Sequence, residues 1–163
     1  MNMILWLNSD NFLYTKIISP NFDLKYNLSN NDISENISKL IRYSAPEKDK
    51  KTLFVLPEGV FTGFNFQQIT QYKLMFEKAF SENHLILFGV NTLDTKQSKN
   101  NVFNSLIIVN NKFDVLFKYN KIKLVPFGEF LPFEKITNKL GLKKITEGYG
   151  SFSKGGEGKI FLL

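Results

Sequence analysis

The sequence predicts a layered α/β domain, because helical and strand patterns alternate along the chain. Two stretches, the continuous apolar run at 52–56 and the mainly apolar run at 84–94, are typical of buried strands. Each run follows a stretch in which apolar residues recur at helical spacing, and three further strand patterns complete the order β-α-β-α-β-β-β. The chain has 163 residues, of which 43% are hydrophobic, and this suffices for one domain with its own core.

The order begins with a strand in 12–23 that is expected to end before Pro20, because the residue preceding a proline favours extended backbone. A helix is predicted in 27–45, where apolar residues recur at helical spacing. Asp32, followed three residues later by Glu35, resembles a capping box with Asp in place of the usual Ser or Thr. That pattern predicts a helix N-terminus at Asp32.

A second helix is predicted in 66–84 from one apolar stripe. The stripe consists of Ile69, Tyr72, Phe76 and Phe80. Residues 102–119 predict a hairpin with its turn at Asn110 and Asn111, since asparagine tolerates positive φ. Beyond Pro132 the patterns weaken. They predict a short helix in 133–144, a glycine-rich loop in 147–159 and the start of a strand in 160–163.

Charge and cysteine content exclude several kinds of site. The chain has 21 basic and 15 acidic residues, a formal charge of +6, but the lysines are spread along it without a nucleic-acid-binding motif. The charge is therefore interpreted as a solvated surface, and no nucleic-acid partner is expected. The chain has no cysteine, which excludes disulfides, thiolate metal sites and a cysteine nucleophile within these residues. No metal and no other cofactor is expected.

The N-terminus has a short apolar patch but no basic segment before it, so it is a poor signal peptide. No apolar run approaches the roughly 18 residues that a membrane span requires. As written, the chain is expected to be cytoplasmic or peripheral to a membrane.

Glu58 is the first candidate for a catalytic residue. It follows the apolar run 52–56, and functional groups of open α/β sheets gather at the carboxyl ends of strands. Pro57 favours an extended entry into the turn, and Gly59 permits tight backbone geometry after it. A glutamate near apolar strands can serve as a general base, and the alternative is an ordinary solvated loop carboxylate.

Lys121 and Glu129 are the other candidates. Strand alternation places Lys121 at the end of an apolar face, where it stabilises negative charge, pairs with a carboxylate, or merely extends into solvent. Lys123 has the same parity, so periodicity does not choose between the two lysines. Glu129 follows the turn sequence Pro-Phe-Gly at 126–128 and is either held in a defined place or solvated. Two glutamates and a lysine in one pocket could serve as general acids and bases, but this set does not include a nucleophile.

These residues resemble a known family. The string "LVPFGEFLPFE" at 124–134, preceded by Tyr119-Asn120-Lys121, is similar to a motif of bacterial apolipoprotein N-acyltransferases. The stretches "LPEGVFTG", "VFNSLIIVNNKFDVLFKYNK" and "IISPNF" resemble other elements of the same catalytic domain in the same order. The resemblance covers residues 14–163, as a partial nitrilase-like domain, and leaves 1–13 as an N-terminal segment of uncertain structure.

The resemblance implies a carbon–nitrogen hydrolase fold, an α-β-β-α sandwich, with a Glu-Lys-Cys triad. It implies that Glu58 is the general base, Lys121 the triad lysine and Glu129 an additional active-site glutamate. The implied reaction moves an acyl chain from a phospholipid, through a cysteine thioester, to the amino group of the lipid-modified N-terminal cysteine of a lipoprotein. The family is placed in the bacterial inner membrane, with the catalytic domain on the periplasmic side.

The sequence departs from this pattern in two ways, since the cysteine and the preceding membrane domain of the family are both missing. The chain is therefore expected to be an incomplete sandwich, a fragment of the acyltransferase that is inactive alone. One alternative is half of a split enzyme completed by a C-terminal chain that carries the cysteine. Another is a non-catalytic binding module on the same scaffold.

Overall fold

A six-stranded mixed sheet with helices against one face forms the protein in the computed structural model. The structure describes residues 2–5, 13–22, 28–94, 101–130, 132 and 151–156. The strands are β1 Asn2–Leu5, β2 Leu13–Ile17, β3 Thr52–Val55, β4 His84–Asp94, β5 Asn101–Val109 and β6 Val115–Asn120. The helices are α1 Asn30–Ser44, α2 Phe66–Ile69 and α3 Lys73–Ala79, with a 3-10 turn at Thr70–Tyr72 between the last two.

The spatial order of the strands follows the chain order, β1-β2-β3-β4-β5-β6. Strands β2, β3 and β4 run parallel, whereas the other neighbours are antiparallel. Each parallel connection contains helix, as crossovers between parallel strands require. The predicted α/β class and the order β-α-β-α-β-β-β are confirmed. The structure adds β1 at the edge, and the described residues contain one sheet and one helical layer of the predicted sandwich.

The helices cover the face of the sheet that carries Phe54, Ile86 and Phe88, all of them fully buried. The apolar side of α1 and the aromatic residues Phe76 and Phe80 pack against this face. The rings of Phe54 and Phe80 meet edge to face with centroids 5.0 Å apart. This geometry favours contact between the positive edge of one ring and the negative face of the other.

His84 is a polar residue in this core, and its side chain is fully buried. Its Nδ1 accepts a hydrogen bond from the Ser81 N–H at 2.9 Å, and its Nε2 lies 2.9 Å from the carbonyl oxygen of Glu47. A neutral ring protonated at Nε2 satisfies both contacts. The imidazole thus ties the start of β4 to the loop before β3.

Helix α1 begins earlier than the sequence predicts. Its N-cap is Ser29, whose hydroxyl accepts from the Asp32 N–H, while the Asp32 carboxylate accepts from the Ser29 N–H. Asp32 is therefore the third helical residue of the capping box, and the predicted box of Asp32 with Glu35 is wrong. The correct pattern has serine at the N-cap and an acid three residues later, which is the usual arrangement.

The second predicted helix is shorter and interrupted. The chain forms α2, then a 3-10 turn, then α3, which ends at Ala79, so the helix does not reach His84. The Thr70 hydroxyl donates to the carbonyl oxygen of Gln67 at 2.6 Å, and the Tyr72 hydroxyl donates to that of Asn30 at 3.0 Å. These local and tertiary bonds accompany the tighter turn. Of the predicted stripe, Ile69, Phe76 and Phe80 are buried and Tyr72 is half-buried.

The turn between β5 and β6 lies where it is predicted, but the interaction that stabilises it differs from the prediction. Phe113, not an asparagine, has positive φ, at 68°. The side-chain oxygen of Asn110 accepts hydrogen bonds from the backbone N–H groups of Lys112 and Asp114, both at 2.9 Å. Asparagine therefore stabilises this turn through its side chain. The helix predicted in 133–144 and the strand predicted in 160–163 lie outside the described residues.

Candidate functional site

A cavity of about 660 Å³ opens on the sheet face opposite the helices, beside the carboxyl end of β3. Its apolar wall includes Val55, Leu87, Leu106 and Tyr119, whose side chains share this face by strand register. Its polar lining includes Glu58, Asn104, Lys121 and Lys123. Two of the three predicted site residues therefore border one cavity.

Glu58 reaches the cavity from the turn that follows β3. Gly59 has a φ of 74°, which confirms that the chain needs tight geometry directly after the glutamate. The carbonyl oxygen of Gly59 accepts from the Thr62 N–H at 3.2 Å and from the Thr62 hydroxyl at 2.6 Å. The turn is thus fixed on one side of Glu58, which is exposed and lines the cavity.

Lys121 follows the last residue of β6, and its N–H donates to the carbonyl oxygen of Asn104 at 2.8 Å, which continues the pairing with β5. Its ammonium nitrogen lies 3.0 Å from each carboxylate oxygen of Glu129. Lys121 and Lys123 both line the cavity, but the ion pair with Glu129 is recorded for Lys121. The two lysines therefore differ in their contact with Glu129, and the choice of Lys121 as the site lysine stays a prediction.

Glu129 is held in place by a compact turn. Its N–H donates to the carbonyl oxygen of Val125 at 2.8 Å, and Phe127 adopts a positive φ of 61° within the turn. The carboxylate folds back over the same turn, since Oε2 accepts from the Val125 N–H at 2.8 Å. Its side chain is only 14% exposed, so Glu129 is not a solvated turn acid.

Opposing effects act on the pKa of Glu129. Burial raises it, but the hydrogen bonds from Val125, Asn104 and Lys121, together with the positive charge of Lys121, outweigh burial and hold the pKa below its ordinary value. The carboxylate is therefore ionised at neutral pH. An ionised carboxylate with these donors orients an ammonium group rather than delivering a proton.

Asn104 belongs to this cluster, although the sequence analysis does not select it. Its side-chain amide donates to Glu129 Oε1 at 2.7 Å. A signal exists in the sequence, because Asn104 is a polar residue in the first strand of the hairpin predicted in 102–119. Placing it beside Glu129 requires the register between β5 and β6, which local patterns do not supply.

Ser105 also borders the cavity, and its hydroxyl is engaged. It donates to Asn120 Oδ1 at 2.8 Å and lies 2.7 Å from the hydroxyl of Thr92. Because the Ser105 proton goes to Asn120, the Thr92 hydroxyl is the donor in the second contact. The side chain is 2% exposed, and neither partner is a base, so this serine is not arranged as a nucleophile.

Neither a metal-binding cluster nor a membrane-spanning helix occurs in the described ranges. They contain no group of three His, Cys, Asp or Glu side chains that could hold a metal ion. In the same part of the chain, no helix has both the length and the apolar character for a membrane crossing.

Solved structures give weak likenesses. The C. elegans NitFhit protein aligns with a TM-score of 0.47 at 20% identity, over 92% of this chain and 34% of that one. An N-terminal amidase bound to an Asn-Glu-Ala peptide aligns with a TM-score of 0.39 at 18% identity, over 69% of this chain and 28% of the amidase.

Sequence comparison is more informative, although no family model matches the chain. The apolipoprotein N-acyltransferase of Bradyrhizobium diazoefficiens is 30% identical over 106 residues, which are 64% of this chain and 20% of that protein. The enzyme of the same name from Allorhizobium ampelinum is 23% identical over 156 residues, 91% of this chain and 29% of that protein. The predicted resemblance is thereby confirmed: the chain is a homologue of apolipoprotein N-acyltransferases and spans 20% to 29% of the length of these two relatives.

Proposed function

We propose that this chain supplies the glutamate and lysine side of an acyl-transfer site of the apolipoprotein N-acyltransferase type. The proposal rests on the arrangement of three side chains: Glu58 and Lys121 border the same cavity, and Glu129 forms an ion pair with Lys121. The homology to apolipoprotein N-acyltransferases supports the same reaction class. The proposed donor is a phospholipid and the proposed acceptor a lipoprotein, on the periplasmic side of a bacterial inner membrane.

In the proposed reaction Glu58 accepts the proton of a cysteine thiol, which then attacks the ester carbonyl of the phospholipid. Lys121 stabilises the oxyanion of the tetrahedral intermediate. The intermediate collapses to a thioester and releases the lysophospholipid alcohol, which takes up the proton. The amino group of the acceptor then attacks the thioester, forms the amide and regenerates the thiol.

Glu129 has a different role in this proposal. Its carboxylate accepts from Lys121, Asn104 and the Val125 N–H, so it holds the Lys121 side chain in a defined position beside the cavity. Its lowered pKa leaves it without a proton to donate at neutral pH. Glu129 is therefore a positioning residue for Lys121.

The chain alone is proposed to be inactive, because its 163 residues contain no cysteine and Ser105 is held by other side chains. We propose that a second polypeptide brings the cysteine to the cavity. The sheet face around the cavity exposes apolar side chains, among them Ile17 at 46% and Leu106 at 38%. An apolar face of this kind favours burial against a partner.

The test is acyl transfer from vesicles of a phospholipid with a fluorescent acyl chain to a peptide with a lipid-modified N-terminal cysteine. The chain is assayed alone and after coexpression with the C-terminal part of the Bradyrhizobium diazoefficiens relative, which the resemblance predicts to carry the cysteine. We expect transfer only with both polypeptides, and its loss with Glu58→Gln in this chain. Transfer that survives Glu58→Gln would contradict the assignment of the base.

The mostly apolar wall of the cavity and the missing cysteine favour a second candidate, a non-catalytic module that binds an acyl chain. This alternative predicts that the chain alone binds a fluorescent fatty acid and that Leu106→Asp weakens the binding. It also predicts no transfer after coexpression. The two candidates therefore differ in the coexpression experiment.

A further inference from the structure

Residues 151–156 form an irregular segment that bonds to three separate parts of the backbone. The Phe152 N–H donates to the carbonyl oxygen of Glu129 at 2.8 Å, and the Gly155 N–H donates to that of Lys121 at 2.9 Å. Between them, the Ser153 N–H donates to the carbonyl oxygen of Val102, in β5, at 2.7 Å. The segment therefore connects the main chains of both partners of the Lys121–Glu129 pair to the sheet.

This connection matters because the two partners lie on different pieces of chain. Lys121 follows β6 and is tied to β5 through its N–H. Glu129 lies in a turn whose N–H bond to Val125 is local. The Phe152 and Ser153 bonds link that turn to β5, and the Ser153 hydroxyl adds a bond to Asn101 Oδ1 at 3.0 Å. The separation of the two partners is thus set partly by this segment.

Gly155 is the position at which the segment comes closest to the backbone it binds. A Cβ atom at Gly155 would lie 2.1 Å from the carbonyl oxygen of Asn120 and 2.7 Å from its carbonyl carbon. Both distances are far inside van der Waals contact, and the obstacle is backbone, which cannot turn aside as a side chain does. At Gly156 a Cβ atom would meet nothing within 4 Å. A side chain would therefore clash with backbone at position 155 but not at position 156.

We propose that Gly155 is a positioning residue, whose missing side chain lets the 151–156 segment hold Lys121 and Glu129 at bonding distance from each other. The importance of this pair for acyl transfer rests on the proposed function. The positioning itself does not, since it is a statement about main-chain contacts and one ion pair. A residue larger than glycine at 155 displaces the segment from Lys121, and the ion pair loosens.

The experiment is an NMR titration of the full chain with ¹³C-labelled glutamate side chains, together with amide exchange, on the unaltered protein, Gly155→Ala and Gly156→Ala. In the unaltered protein we expect the amides of Phe152, Ser153 and Gly155 to exchange more slowly than those of an unstructured peptide. Gly155→Ala should speed this exchange by about tenfold or more. It should also move the Glu129 titration upward toward the ordinary range of a carboxyl, because the contacts that favour the ionised form weaken. Gly156→Ala should change neither quantity.

A general loss of stability would lower the melting temperature without moving the Glu129 titration, so the titration separates positioning from a purely structural role. Unchanged exchange and titration in Gly155→Ala would overturn the proposal, as would amides of 152, 153 and 155 that exchange at unstructured rates in the unaltered protein. If Gly155→Ala does not fold, Ser153→Ala decides, because it removes one anchor of the segment and should shift the Glu129 titration in the same direction. No acyl transfer is measured here, so failure of the proposed function leaves this test unaffected.

Discussion

The two faces of the sheet differ in what covers them. On the helix-covered face, Phe54, Phe76 and Phe88 are each no more than 1% exposed, and their rings contact further aromatic rings. On the opposite face, Leu106 is 38% exposed and borders a cavity that also contains Glu58 and Lys121. The first face stabilises the fold. The second presents polar groups beside uncovered apolar surface, which is the combination expected of a binding or reaction site.

The two faces should differ most in the stability that is lost when one apolar residue on each face is replaced by alanine. Phe54→Ala should lower the free energy of unfolding by about 3–5 kcal/mol, because it leaves a cavity in close-packed surroundings. Leu106→Ala should cost about 0.5 kcal/mol or less, since much of its side chain is already in water. Urea denaturation followed by circular dichroism measures both. Equal losses would show that the cavity face also carries core packing.

The next effect concerns the ion pair beside the cavity. Glu129→Gln should lower the free energy of unfolding at pH 7 by about 1–2 kcal/mol, because Lys121, Asn104 and the Val125 N–H lose a charged acceptor. The pKa of Glu129 is lower in the folded chain than in the unfolded one, where a glutamate titrates at about 4.3. The contribution is therefore complete above that pH and is lost as pH falls through the folded-state pKa.

The check is the difference in free energy of unfolding between the unaltered protein and Glu129→Gln, measured across the acid range. Other carboxyl groups titrate in both proteins, so their contributions cancel in that difference. We expect the difference to shrink as the pH falls. A difference independent of pH would mean that the Lys121–Glu129 contact does not form in solution.

The smallest effect tests the helical layer. Ser29→Ala removes the hydroxyl that caps α1 and should cost about 1 kcal/mol. Ser38→Ala is the matched control, because Ser38 lies inside the same helix, is exposed and bonds only to the helix's own carbonyl at Ser34. It should be neutral or slightly stabilising, since alanine favours the helix interior. Thermal denaturation of both variants distinguishes a cap from an ordinary surface serine.

Periodic patterns predict the sheet well and the junctions less well. Strand β4 extends from His84 to Asp94, as its apolar run predicts. The start of α1 and the interruption after Ile69 are missed, because capping and 3-10 turns depend on single side-chain bonds such as those of Ser29 and Thr70. Such bonds leave little trace in hydrophobic spacing.

In the candidate site, too, some residues are predicted from the sequence and others are not. The motif resemblance selects Glu58, Lys121 and Glu129, and the structure brings Lys121 and Glu129 into contact. Asn104 and Gly155 are not selected, because their importance depends on contacts across β5, β6 and the 151–156 segment. A glycine-rich stretch predicts a loop but does not reveal which backbone the loop approaches.

We propose that Lys121, and not Lys123, belongs to the reacting site. The most direct measurement is the rate of acyl transfer by the coexpressed preparation with Lys121→Met or Lys123→Met in this chain. Both lysines line the cavity and both variants remove one charge, so they are matched. We expect Lys121→Met to lower the rate by about a hundredfold or more, and Lys123→Met to leave it near that of the unaltered protein. Equal losses in the two variants, or a larger loss with Lys123→Met, would contradict the assignment.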